Sequence, residues 1–208
     1  MDHPGRPDFT LSRIPKEHRL AELEFHFPAE HLDADALLAA IRSPQPLSST
    51  GILPVGSRTG FQPVHSGSHP AGFTTNRLEA CATRRVAGFL KGFMDLVFVF
   101  EDRHYILDWK SNRLGNRVQD YSQEAMAREI RHSFYDLQYH LYTVALDRYL
   151  RVRLPGYDYE KHFGGVRYVF LRGVTPGDPT LGIFRDRPSR EILARLTVLL
   201  GQFNEVPA

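Results

Sequence analysis

Residues Gly92–Asn112, GFMDLVFVFEDRHYILDWKSN, decide how this chain is read. Phe93 to Phe100 is apolar apart from Asp95, and Tyr105 to Trp109 is apolar apart from Asp108, the pattern of two strands buried on both faces. Asp102 and Arg103 between them are turn residues, and a two-residue loop there sets Asp95 opposite Lys110. Side chains alternate along a strand, so Asp108 and Lys110 share a face and Asp95 joins them, diagonal to Asp108. Two acids and one amine are therefore expected at a single point. A three-residue loop would slip the register and undo this.

Such a cluster suits metal-assisted hydrolysis of a phosphodiester. Hard carboxylate oxygens from Asp95 and Asp108 suit Mg²⁺, which lowers the pKa of a bound water and neutralises phosphate charge. Lys110 would orient or deprotonate that water, or stabilise the developing charge. The plainer alternative is a buried Asp–Lys ion pair that closes a core. Against it stands the cost of burying a further carboxylate without a partner, on the order of several kcal/mol.

An Asp, a hairpin and then Asp-x-Lys is the pattern of the PD-(D/E)xK nucleases, and longer words narrow the likeness. LKGFMDLVF (90–98), YILDWKSNRLG (105–115), YDLQYHLYTVALDRYL (135–150) and YDYEKHFGGVRYVFLRGV (157–174) resemble the C-terminal nuclease domain of the RecB family. The resemblance implies that Asp95, Asp108 and Lys110 bind the divalent ion and cut, with the Trp109 backbone carbonyl as a further ligand. Through ELEFHFP it adds Glu22 to the neighbourhood of the site; a solvent-side charge is the alternative for Glu22 and Glu24. It also implies that Gln138 and Tyr142, one helical turn apart, face the site and contact a DNA strand; a helix-surface hydrogen-bonded pair is the alternative.

The implied function is that of a Mg²⁺-dependent exodeoxyribonuclease of the RecBCD type, serving recombination and double-strand-break repair. The implied partners are DNA, RecC-like and RecD-like subunits, and an upstream RecB helicase portion. Two features depart from the family. No segment before Phe9 supplies the metal-binding His of an upstream helix, and no G-x-x-x-x-G-K-[ST] loop is present. The sequence thus reads as one nuclease-like domain over residues 1–208, truncated at its N-terminus relative to the family. The other function class is a catalytically impaired fragment that acts as a docking module for helicase–nuclease partners.

The remaining sequence frames this centre. Its 208 residues, 42% hydrophobic and 24% charged, suit one domain with a real core. No run is long enough to span a membrane and no export signal opens the chain, so a cytoplasmic location without membrane contact is expected. The single Cys81 excludes an internal disulfide, and a formal net charge of +2 gives no composition-level sign of nucleic acid.

Arg19–Phe27 alternates as a half-buried strand, and Asp33 or Asp35 starts a helix through Ile41. Residues 43–75 are rich in Pro, Gly, Ser and Thr and read as a low-complexity flexible insertion; His65 and His69 within it are read as chance neighbours. Ser111–Gln119 is a polar loop in which Asn112, Arg113, Asn116 and Arg117 either contact a phosphate backbone or are ordinary surface. Two helices follow, the second with Leu137, Leu141, Val144, Ala145 and Leu150 at core spacing. Gly164–Val174 is a further strand beside the hairpin, and Gly182–Arg185 a short edge strand. A last helix has Pro188 near its first position and a stripe of Ile192, Leu196, Leu199 and Leu200. The order predicts an α/β fold: a mixed central β-sheet flanked by helices, with a PD-(D/E)xK restriction-endonuclease-like core.

Overall fold

The computed structural model describes residues 11–28, 33–43 and 89–201. The low-complexity segment beyond Ser43, with His65 and His69, and Cys81 after it lie outside them.

Alternation makes Arg19–Pro28 a strand, β1, whose Leu23, Phe25 and Phe27 meet the main core while Glu24 and His26 face away. Helix α1 (Ala34–Arg42) starts at Asp33, whose carboxylate accepts from the Asp35 and Ala36 N–H groups and so satisfies two donors the helix leaves open. The hairpin follows as β2 (Phe89–Phe100) and β3 (Arg103–Lys110).

The hairpin loop has two residues, but they are Glu101 and Asp102, at φ 48° and 60°, rather than Asp102 and Arg103. Both central residues of the favoured hairpin turn need positive φ, and Arg103 instead pairs with Phe100 inside the ladder. This register stacks Phe98 on Tyr105 at 5.1 Å and sets Val97 against Ile106. Continued from Leu96↔Leu107, it brings Asp95 level with Asp108, not Lys110. The shift is an even number of residues and so keeps faces within the ladder, but strict alternation along β2 is interrupted beyond it: Met94 meets the main core and Leu96, two residues on, the cluster on the other face.

Helices α2 (Gln123–His132) and α3 (Tyr135–Arg153) turn a corner at Phe134, whose φ is 54°. Ser122 caps α2 through the Ala125 N–H. A one-turn α4 (Tyr159–His162), absent from the sequence reading, leads into β4 (Phe163–Phe170), and β5 (Ile183–Asp186) and α5 (Arg190–Leu199) complete the chain. Ser189 caps α5, so Pro188 precedes the cap instead of opening the helix. Its carbonyl is held there by the Tyr159 hydroxyl at 2.6 Å. The buried positions of α5 are Leu193 and Leu196; Leu199 points outward.

The sheet order is β1-β2-β3-β4-β5, with only β3–β4 parallel. The β4 strand enters through a bulge at Gly164–Gly165: Gly165 sits at φ 106°, and a Cβ on Gly164 would land inside the Tyr105 ring. The result is a mixed, mostly antiparallel sheet flanked by helices. Its main core lies against α1, α2, α3 and α5, built on Met94, Ile106, Val144, Leu146, Val166, Phe170 and Leu196. A smaller cluster of Ile14, Phe98, Leu107 and Val169 lies on the other face, closed in part by the turns of residues 11–18. Among the described residues no helix is long and apolar enough to cross a membrane.

Candidate functional site

Alternation along β3 sends Ile106, Asp108 and Lys110 to the helix side of the sheet and Tyr105, Leu107 and Trp109 to the other. Asp108 is 3% exposed and Lys110 is 8% exposed, so both charges are taken from water at the C-terminal end of the strand. They meet directly, Lys110 Nζ standing 2.5 Å from Asp108 Oδ1. Asp95 approaches from β2, where its Oδ2 accepts the Trp109 backbone N–H at 2.9 Å. That bond ties the two acid-bearing strands together where the ladder ends.

Helix α3 supplies the roof. Gln138 Oε1 accepts from Lys110 Nζ at 3.0 Å and from the Tyr168 hydroxyl at 2.9 Å, and Gln138 Nε2 donates to the Tyr142 hydroxyl at 2.8 Å. Gln138 and Tyr142 thus point inward as a pair, one turn apart. Two rings enclose the ammonium: Tyr135 at 3.9 Å from its centroid and Tyr168 at 4.8 Å. The Tyr135 hydroxyl donates to Asn112 Oδ1, and Asn112 Nδ2 donates to Glu129, which also accepts from Ser133. Asn112 therefore lies between α2 and α3, bracing the ring that covers Lys110.

Burial pushes the Asp108 carboxyl above its ordinary range; Lys110 pulls it back, and the nearby Asp95 charge pushes it up further. The Tyr142 and Tyr168 hydroxyls are driven well above their ordinary range, by burial first and by the Asp108 charge second. A dry pocket holding this much negative charge favours an added cation or a proton.

Glu22 stands apart. The pairs Ala21↔Leu96 and Leu23↔Met94 put it level with Asp95, but it sits at φ 55° in a break in the β1 ladder and is exposed. Among the described residues no three His, Cys, Asp or Glu side chains form a group able to hold a metal ion.

No family model matches the chain. It is, however, 42% identical over 186 residues to the RecBCD enzyme subunit RecB of Escherichia coli, 89% of this chain and 14% of that one. The RecBCD enzyme subunit RecB of Haemophilus influenzae is 48% identical over 118 residues, 57% of this chain and 10% of that one. The chain is homologous to part of RecB. A RecB subunit of Mycobacterium tuberculosis extends the likeness to 96% of this chain at 32% identity, covering 18% of its own length. The RecB relationship thus spans most of this chain but only a small share of each relative.

The centre fits a hydrated Mg²⁺ in part. Asp95 and Asp108 offer hard oxygens, and Mg²⁺ is commonly held by one or two carboxylates with waters filling the rest. One oxygen of each is already engaged, by the Trp109 N–H and by Lys110. The raised Asp108 carboxyl is the kind of group a cation would relieve. Tyr135 and Glu129 are the neighbours that sequence reasoning missed as parts of this site. Tyr168, weighed from the sequence between a DNA contact and a core position, pairs with Asp108 across the parallel ladder and is fully buried.

Proposed function

We propose that this chain is a DNA-handling module of a RecB-type helicase–nuclease machine, with a PD-(D/E)xK-like core whose cutting is impaired when it acts alone. The observation that carries this reading is the two-acid, one-lysine cluster. Lys110 occupies an oxygen of Asp108 on the helix side, Asp95 accepts the Trp109 N–H beside them, and no third carboxylate or imidazole joins them among the described residues. Asp95 and Asp108, with the Trp109 carbonyl as a further candidate, would hold Mg²⁺, which when bound supplies a more acidic water and neutralises phosphate charge. Lys110, fixed by Gln138 and two rings, would meet the charge that builds on the phosphate. Gln138 and Tyr142 would orient the strand. RecC-like and RecD-like subunits and an upstream helicase portion are the proposed partners, on the strength of the RecB relationship.

A second reading, an intact Mg²⁺-dependent exodeoxyribonuclease, is favoured by the closeness of the two acids and Lys110. One assay separates them. Fluorescently labelled single-stranded DNA is incubated with the chain and Mg²⁺, alone and with the upstream RecB portion and partner subunits supplied. The proposal expects slow or no cutting alone and a large gain on assembly. Rapid turnover by the isolated chain, abolished by Asp108→Ala, would establish the second reading instead.

A further inference from the structure

Two exposed rings lie on the side of the sheet away from the helices, close in sequence to the two acids. Trp109, between Asp108 and Lys110, is 42% exposed, and Phe93, two residues before Asp95, is 47% exposed. Both occupy the face away from the helices. Trp109 follows from its position opposite Asp108 and Lys110; Phe93 lies with Lys91, whose ammonium stands 4.9 Å over its ring and pairs with outward-facing Glu24. Val169, the partner of Trp109 on β4, is buried in the smaller cluster beside it, and Arg172 beyond is exposed, its Nε bound to the Ser111 carbonyl. Exposed aromatic groups edged by Lys91 and Arg172 thus share the end of the sheet at which Asp95 and Asp108 lie.

We propose that Trp109 and Phe93 form a stacking platform for unpaired nucleobases, so that a single strand passes round the end of β2 and β3 with bases on the outer face and backbone toward the acids. The inference rests on the reading of this chain as a DNA-handling module and adds the residues that would hold the unpaired bases of the strand. Rings suit this ligand because every base offers a π-face, which makes binding tolerant of sequence, while Lys91 and Arg172 match the charge of the backbone. A duplex, whose bases are already stacked, gains nothing from the platform.

Trp109 is the only tryptophan in the chain, so its fluorescence reports the event directly. The experiment titrates the full chain in EDTA, where no cutting occurs, with labelled oligothymidylate, with an abasic strand of equal length and with a duplex. Strand anisotropy reports binding, and Trp109 emission reports stacking. The proposal expects oligothymidylate to bind and quench Trp109, the abasic strand to bind more weakly without quenching, and the duplex to leave emission unchanged. Trp109→Ala should weaken oligothymidylate binding by about five- to 150-fold, the range alanine substitution gives for one stacked base. Trp109→Phe should recover most of that loss, which separates lost stacking from a folding defect.

Binding by anisotropy with unquenched Trp109 and an unweakened Trp109→Ala variant would overturn the platform and leave the DNA-handling reading intact. A surface that serves a protein partner gives this result. Absence of strand binding by the folded chain would overturn both.

Discussion

Replacing Lys110 with Met keeps most of the volume and removes the charge that compensates Asp108. The carboxylate is then left 3% exposed, with its cation gone and Asp95 still beside it. Breaking a buried ion pair by removing one partner costs about 3–5 kcal/mol, because the remaining charge is stranded. Gln138 also loses one of the two donors to its amide oxygen, leaving the Tyr168 hydroxyl alone on it.

The pH dependence fixes the cause. Asp108 already has a folded-state pKa above its ordinary 3.8, and Lys110 is the group pulling it down, so the variant raises it further. A carboxyl with a raised folded pKa contributes stability below the unfolded value and loses it as pH climbs through the folded value. The deficit of Lys110→Met relative to the native chain should therefore be small near pH 4 and grow toward neutrality. Urea denaturation followed by circular dichroism at a series of pH values measures it. The pair Asp108→Asn with Lys110→Met should recover much of the loss at pH 7. A deficit independent of pH, or a double variant no better than the single one, would refute the reasoning.

Other outcomes follow from the same contacts. Gln138→Leu removes the acceptor shared by Lys110 and Tyr168 and strands two buried donors, so a loss of about 1–3 kcal/mol in unfolding free energy is expected by the same denaturation. Tyr135→Leu removes the ring 3.9 Å from the Lys110 ammonium, and denaturation should show a cost of about 2 kcal/mol beyond that of Tyr135→Phe, which keeps the ring. Arg42→Ala should cost about 1–3 kcal/mol in the same measurement, because buried Asp136 accepts two hydrogen bonds from that guanidinium across the α1–α3 contact.

Much of the fold was legible because strands and helices carry their periods in the sequence. Phe25 and Phe27 against Glu24 and His26 marked β1, and Leu137, Leu141, Val144 and Ala145 marked α3, since each spacing has one way to face a core. The hairpin loop was misplaced by one residue because Glu101, Asp102 and Arg103 are all polar and no glycine marks the positive-φ positions. Asp108 and Lys110 share the helix side because they stand two residues apart on β3, whereas strict alternation along β2 is interrupted beside Asp95: Met94 meets the main core and Leu96 the cluster on the other face. The stripe on α5 was drawn through Leu199 instead of Leu193: leucines crowd that helix, and only the packing against α1 and α3 chooses among them.

The surroundings of the centre were less legible. Tyr135, Asn112 and Glu129 come from the start of α3, the loop after β3 and α2, and their hydrogen bonds exist only once those elements pack. Asn112 was read as a phosphate contact or as surface; the fold gives it two side-chain partners. Glu22 was named by likeness and stands level with Asp95, but its left-handed backbone breaks the ladder, which no spacing rule anticipates.

The most direct measurement is Mn²⁺ binding, with Mn²⁺ standing for Mg²⁺, followed by electron paramagnetic resonance of the free ion. The account expects one weakly held ion per chain, lost in Asp95→Asn and equally in Asp108→Asn, because both neighbouring acids serve one site. Undiminished binding in either variant would show that the two acids do not act together and would contradict the account.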